Sequence, residues 1–297
     1  MPANPTVAFI GLGIMGLPMA SNLVDAGYTV AGYNRSPQAA EKLAARGGTA
    51  AGSVAEAVRG ANVVITMLPD SPDVESVLLD DDGVFANAEP GSLIIDMSTI
   101  RPDVARDLAS AGVRHHLRVL DAPVSGGEAG AIEGALSIMV GGEKSAFDAA
   151  APLFDVLGTT AVLVGPAGAG QTVKAANQLI VAGNLQLLAE ALVFLEAHGV
   201  DTAAGLEVLN GGLAGSTVIT RKGEAMRNRN FEPGFRIALH DKDLRIVTTA
   251  ARDAGVTIPL GAQVAQLVGA LKAQGHGGLD HSALLRLVEQ LSTDEHR

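Results

Sequence analysis

Lys174 is the only lysine or arginine between Lys144 and Arg221. It lies in residues 168–199, a segment otherwise mostly apolar or small, which reads as a helix packed on most sides. A lysine there is costly unless its charge is used, because desolvation disfavours the ammonium and draws its pKa down. That shift suits proton transfer near neutral pH. Asn177 and Gln178 stand three and four residues on, so they share its helical face. A cation and two amides on one face of an apolar helix suggest a site. The alternative is a lysine whose stem runs out to solvent from the helix start.

A second cluster is Gly11-Leu12-Gly13-Ile14-Met15-Gly16. It follows the apolar run TVAFI (6–10) and opens a helical stretch that runs to Ala26, with Gly27 closing it. A G-x-G-x-x-G sequence placed directly after a first strand is a dinucleotide-binding signature. Gly11 permits the tight turn, Gly13 lets backbone N–H groups approach a pyrophosphate, and Gly16 lets helix and strand pack closely. The residue that reads the adenosine ribose belongs at the end of the second strand, YTVAGYN (28–34). Asn34, Arg35 and Ser36 occupy that place, with no acid to bind a 2′-hydroxyl or repel a 2′-phosphate. Arg35 can pair with a phosphate and stack on adenine. NADP(H) is therefore favoured, with NAD(H) possible.

Two later segments end sheet strands: Met67-Leu68-Pro69, and Asp96-Met97-Ser98-Thr99. Cofactors lie across the carboxyl edge of such sheets, so Met67, Leu68, Pro69 and Thr99 are candidates to line the nicotinamide half. Asp96 is equally suited to capping the strand end. Asp121-Ala122-Pro123-Val124-Ser125-Gly126-Gly127 also follows a strand. Its hydroxyl and unshielded backbone N–H groups could hold a carboxylate without a cation. An ordinary Ser-Gly-Gly loop would have the same sequence.

These residues need a scaffold, and the pattern supplies one. Up to residue 165, short apolar runs alternate with helical ones: 62–68, 92–98, 118–123, 136–142 and 160–165 read as further strands. Residues 36–47 read as a helix with Ser36 as N-cap and Pro37 at its first position. Beyond residue 165 only helical periodicity remains, broken near residues 199–200, 210–216, 229–235, 254–259 and 274–280. The expected fold is an α/β Rossmann-type domain over residues 1–165 and an all-α domain over 166–297, joined by the long helix that carries Lys174.

Composition narrows the function. Hydrophobic residues make up 47% of the 297 and charged ones 18%, enough for a sizeable core. The net charge is -11 with no basic run, which argues against nucleic acid and anionic membrane as partners. Cysteine is absent, excluding disulfides, thiolate-bound zinc and a thiol nucleophile. The seven histidines show no ligand-like pairing, so no metal site is expected. The N-terminal residues lack the features of a signal peptide, and glycines and a proline interrupt the apolar run at 7–20. A cytoplasmic protein is the expectation. The apolar helical half, with aromatic residues only 3% of the chain, suggests a buried subunit interface and hence a homodimer or homotetramer.

GLGIMG, DAPVSGG and GAGQTVKAANQ, in that order, resemble the β-hydroxyacid dehydrogenase family, which is related to 6-phosphogluconate dehydrogenase. The resemblance spans essentially the whole chain. NGGLAGSTV (210–218), RNFEPGFRIALHDKDL (229–244) and DHSAL (280–284) are similar to the branch that reduces tartronate semialdehyde. It implies that Lys174 is the catalytic lysine and Asn177 its partner. It implies that Ser125, Gly126 and Gly127, with Lys174, Asn177 and Gln178, bind a small hydroxy- or oxo-acid. It also puts Phe235 and Lys242 against the cofactor. Many members have a second asparagine where this chain has Gln178. His240 is a competing proton donor, with the more convenient ordinary pKa. Related small acids are alternative substrates, and a nucleotide-binding scaffold without turnover is the rival of another class.

Overall fold

The computed structural model describes residues 5–293. The chain divides into two compact units, Met1–Lys174 and Ala175–Arg297.

The first unit is built on one sheet. Its strands are β1 (Thr6–Ile10), β2 (Thr29–Tyr33), β3 (Thr49–Ala50), β4 (Val63–Thr66), β5 (Leu93–Asp96), β6 (Arg118–Asp121), β7 (Val124–Ser125), β8 (Leu136–Gly141) and β9 (Gly158–Gly165). The order is β3-β2-β1-β4-β5-β6-β8-β7, with β9 beside β8. Strands β1 to β6 pair in parallel, β8 runs antiparallel to β6 and β7, and β9 is parallel to β8. The strand order reverses at β1, so the glycine turn after β1 sits where such sheets bind their ligands.

The central strands are apolar on both faces because helices cover both. Alternation along each strand sorts the side chains. Val7, Phe9, Val63, Ile65, Leu93 and Ile95 join one core, with Met19, Leu23, Leu153 and Phe154 from the helices Gly16–Asp25 and Lys144–Leu157. Ala8, Ile10, Val64 and Ile94 face a second core with Val74, Leu78, Leu108 and Ala111 from the helices Ser71–Leu79 and Pro102–Arg114. This is the Rossmann-type sheet expected from the sequence.

Three local expectations change. Two short strands, β3 and β7, were not expected. Ser36 stands in extended backbone before the helix Pro37–Ala44, yet its side chain makes no capping hydrogen bond. Pro37 at the first helical position already removes one of the N–H groups that a cap would satisfy. Finally, the units divide at Lys174 rather than at Pro166, because the first turn of the helix Ala169–Ala197 belongs with the sheet.

The second unit is helical. After the remainder of that long helix come Thr202–Gly211, Thr217–Arg227, Ile237–Asp253, Pro259–Leu271 and Leu284–Thr293. All expected breaks separate helices. Asp201 and Ser216 accept hydrogen bonds from Ala203 and Ile219 and cap two of them. The long helix is apolar enough, and long enough, to cross a membrane. Its Ala182, Leu185, Leu188, Ala189 and Leu192 instead lie in the core of this unit with Leu244, Val264, Val268 and Leu284. Ile180, Leu187 and Phe194 recur at seven-residue spacing on the same helix and are each more than 60% exposed.

Candidate active site

The loop after β1 has the geometry its glycines predict. Gly11 has φ +99°, and a Cβ there would overlap the Met67 carbonyl oxygen. A Cβ on Gly16 would overlap the Gly11 carbonyl oxygen. Gly13 is exposed, with no atom within 4 Å of where a Cβ would stand. The turn is tight beneath and open above, at the start of a ten-residue helix, and so fits a dinucleotide pyrophosphate.

Asn34 and Leu12 are joined to each other. The Leu12 N–H donates to Asn34 Oδ1 at 3.0 Å, and Asn34 Nδ2 donates to the Ser36 carbonyl at 3.1 Å. The Leu12 side chain is buried in the first core. Asn34 thus ties the glycine turn to the end of β2 and shapes the turn that carries Arg35 and Ser36, both exposed.

Hydrogen bonds also join the segments after β4 and β5. Asp96 Oδ1 accepts from Thr66 Oγ1 at 2.7 Å and from the Ser98 N–H at 3.2 Å, and Ser98 Oγ accepts from the Leu68 N–H at 2.8 Å. Burial pushes the Asp96 carboxyl up to about 6, and the neighbouring Asp121 charge adds to this. Asp96 therefore acts as the strand-end cap. Met67, Leu68 and Thr99 are half-buried and Pro69 is exposed along the same edge.

Lys174 is buried, only 7% exposed, so the snorkelling alternative fails. Its Nζ donates to the Val124 carbonyl oxygen at 2.7 Å. Val124 is the residue before Ser125, and Val124–Ser125 is fixed as β7 by antiparallel pairing to Ile138 and Ser137 of β8. Gly126 and Gly127 follow with φ +147° and +66°, and nothing stands within 4 Å of a Cβ on Gly127. The ammonium is therefore held beside the Ser-Gly-Gly turn.

Asn177, Gln178 and Lys242 form a chain within the second unit. Asn177 Nδ2 donates to Gln178 Oε1 at 2.8 Å, and Gln178 Nε2 donates to Asp243 Oδ2. Asp243 Oδ1 is 2.8 Å from Lys242 Nζ. Asp243, Gln171 and Asp121 are the polar residues that sequence reading left without a role. Asp243 had one available signal, its place in the K-D-L triplet.

His240 is fully buried. Its Nδ1 lies 3.1 Å from His281 Nδ1, and Phe235 meets both rings edge-on. It is thus part of a packed cluster with His281 and Phe235. Burial, and then repulsion from His240, hold His281 down at about 3. Asp280 beside it is lowered: burial opposes ionisation, but the adjacent His281, then Lys222 Nζ at 2.8 Å and the bonds from Phe235 and Ser282, favour the carboxylate.

The histidine has a consequence for stability. Its folded pKa lies below the ordinary value near 6.5, so below that pH the unfolded chain takes up the extra proton. Stability is then lost as pH falls from about 6.5 toward 3, by up to about 1.4 kcal/mol per pH unit. The raised Asp96 works the other way between about 6 and 4. We therefore expect thermal unfolding of His281→Gln to depend less steeply on pH between about 7.5 and 4.5 than that of wild type. Parallel curves would refute this.

Comparison with known proteins agrees with this geometry. The family model for the NAD binding domain of 6-phosphogluconate dehydrogenase matches residues 6–165. That for the NAD-binding region of NADP-dependent 3-hydroxyisobutyrate dehydrogenase matches residues 168–288. The chain is 41% identical to 2-hydroxy-3-oxopropionate reductase of Escherichia coli, covering 96% of this chain and 98% of that one. It is 38% identical to the NAD-dependent L-serine dehydrogenase of Pseudomonas aeruginosa, covering 95% and 97%. The structure of Mycobacterium tuberculosis 3-hydroxyisobutyrate dehydrogenase with L-serine superposes with a TM-score of 0.88 at 37% identity, covering 96% and 99%. The two matched regions, the glycine turn and the lysine held beside a Ser-Gly-Gly loop make the chain a member of the β-hydroxyacid dehydrogenase family, NAD(P)-dependent oxidoreductases acting on hydroxy groups.

Proposed function

We propose that this protein reduces 2-hydroxy-3-oxopropanoate (tartronate semialdehyde) to D-glycerate with NADPH, reversibly, and that Lys174 is the proton donor. The observation that carries the reading is the buried Lys174 ammonium, 2.7 Å from the carbonyl oxygen of the residue preceding Ser125.

Bound nicotinamide supplies the hydride for the aldehyde carbon. As the carbonyl electron pair moves onto oxygen, the Lys174 ammonium stabilises the growing negative charge and gives up a proton to it. Ser125, Gly126 and Gly127 bind the carboxylate and orient the carbonyl. Asn177, steadied through Gln178 and Asp243, supports the lysine or the substrate hydroxyl. Gly11, Gly13, Ile14, Met15 and Gly16 receive the pyrophosphate, and Arg35 the 2′-phosphate, which favours NADP(H).

A second reading has a specific basis. D-Glycerate, L-serine and 3-hydroxyisobutyrate share one skeleton, a hydroxymethyl carbon attached to a carbon that bears a carboxylate. Apart from the configuration at that carbon, they differ in the third substituent: hydroxyl, ammonium or methyl. Relatives carry names for all three kinds of substrate. A site built to hydrogen-bond the hydroxyl rejects methyl far more strongly than a hydrophobic pocket rejects hydroxyl. In the oxidative direction with NADP+, we expect kcat/KM for D-glycerate to exceed that for L-serine and 3-hydroxyisobutyrate by about tenfold or more. A higher value for either competitor reassigns the substrate. The same assay with NAD+ tests the nucleotide preference.

The exposed Ile180, Leu187 and Phe194 support association of two or four copies, since an apolar face of that kind gains by burial. Sedimentation velocity at about micromolar concentration should find an oligomer, weakened by Leu187→Glu. A wild-type monomer would refute it.

A further inference from the structure

The lysine is held from two directions, and one of them is remote from any reacting atom. Asp121 ends β6 and is only 4% exposed. Its two carboxylate oxygens accept hydrogen bonds from the N–H groups of Gly168, at 2.7 Å, and Gln171, at 2.9 Å. These are N–H groups at the start of the helix Ala169–Ala197, donors that no intrahelical partner can satisfy. The carboxylate reaches them because Gly141 and Gly170 leave room. A Cβ on Gly141 would stand 2.5 Å from Asp121 Oδ1, and one on Gly170 would overlap the Met139 carbonyl oxygen and lie 2.8 Å from Asp121 Oδ2.

Gln171 fastens the same turn to the next strand. It is 1% exposed. Its Nε2 donates to the Ser98 carbonyl at 2.8 Å, and its Oε1 accepts from the Ile100 N–H at 3.1 Å. Both arms of the amide thus grip the segment containing Thr99. Lys174 follows Gln171 by three residues, on the same side of the helix. Val124, which accepts from Lys174 Nζ, follows Asp121 by three residues in the chain. Each end of the lysine's placement therefore starts at the junction of β6 with the helix.

We infer that Asp121 and Gln171 are positioning residues for Lys174: they lock the first turn of its helix to the ends of β6 and β5 and so fix where the ammonium stands. This rests on the reading of Lys174 as proton donor. A proton donor displaced by as little as about 1 Å can lose about 10²-fold in rate, so the lock bears on turnover. Buried polar groups at a helix start would also stabilise the fold, so the test must separate the two roles.

The test is a double-mutant cycle of Asp121→Asn and Lys174→Ala. It is read as kcat for NADPH-dependent reduction of tartronate semialdehyde, with NADPH affinity measured by fluorescence titration. Asn can accept from only one of the two N–H groups, because its amide nitrogen is a donor. We expect Asp121→Asn alone to lower kcat by about tenfold or more, with NADPH affinity within about twofold of wild type. In the Lys174→Ala background the same change should alter kcat by less than about twofold, because its route to the chemistry is already gone. Equal losses in both backgrounds, or no loss in the single variant, would overturn the inference. Should Asp121→Asn fail to fold, Gln171→Met carries the same cycle, releasing both amide bonds at similar volume. A Lys174→Ala enzyme with near wild-type kcat would refute the proton-donor reading itself, and the positioning inference with it. Loss in Lys174→Ala without loss in Asp121→Asn or Gln171→Met would refute the positioning inference alone.

Discussion

Replacing Lys174 by alanine is expected to cut kcat by about 10² or more, with little change in NADPH affinity. Hydride arrival leaves the former carbonyl oxygen negative, and a buried ammonium nearby is a strong stabiliser of that charge because little water screens it. Alanine leaves neither a cation nor a proton. The Val124 carbonyl that held Nζ loses its donor, so a modest stability loss of about 1–3 kcal/mol accompanies the kinetic one. Lys174→Arg should not restore turnover. A guanidinium is bulkier and holds its proton too firmly to act as general acid near neutral pH.

The glycine turn gives the second large effect, and it splits by position. Gly16→Ala places a methyl against the Gly11 carbonyl, so helix and strand must part. We expect destabilisation by about 3 kcal/mol and loss of cofactor binding together. Gly13→Ala meets open space and needs no left-handed backbone. Its thermal unfolding should match wild type within about 0.5 kcal/mol, while NADPH affinity falls by about tenfold or more because the methyl occupies the approach to the backbone N–H groups. Calorimetry and fluorescence titration on the two variants check this. Equal stability losses would mean that Gly13 is structural. Unchanged NADPH affinity in Gly13→Ala would remove that glycine from the pyrophosphate site.

Much of the scaffold was legible because local signals agreed with the tertiary arrangement. The runs VVIT and LIID are apolar at nearly every position because their strands are covered on both faces. In the turn of residues 11–16, Gly11 and Gly16 stand where positive φ or close contact demands glycine. Lys174 was conspicuous because charge is scarce in its segment. The strands β3 and β7 were not legible, since two residues establish no period and their pairing is set by partners elsewhere in the chain.

Side chains whose meaning depends on distant partners were the harder cases. Asn34 stands where a cofactor contact belongs, yet its amide serves a backbone N–H twenty-two positions earlier. His240 had the right ordinary pKa for a proton donor but pairs with His281, forty-one positions later. Asp121 opens the D-A-P-V-S-G-G motif, whose serine and glycines are its more evident binding groups. Its bonds run to Gly168 and Gln171, forty-seven and fifty positions on. Residue type and spacing pointed to the proposed chemistry, whereas the side chains that would support it became visible only with the fold.

On the proposed function, Lys174 delivers the proton that completes hydride transfer to a small oxo-acid. Single-turnover oxidation of enzyme-bound NADPH by tartronate semialdehyde tests it most directly, in wild type and in Lys174→Ala at saturating cofactor. The prediction is rapid loss of the reduced-nicotinamide absorbance in wild type and a rate lower by about 10² or more in the variant, with equal cofactor occupancy. Equal single-turnover rates in the two proteins would contradict it.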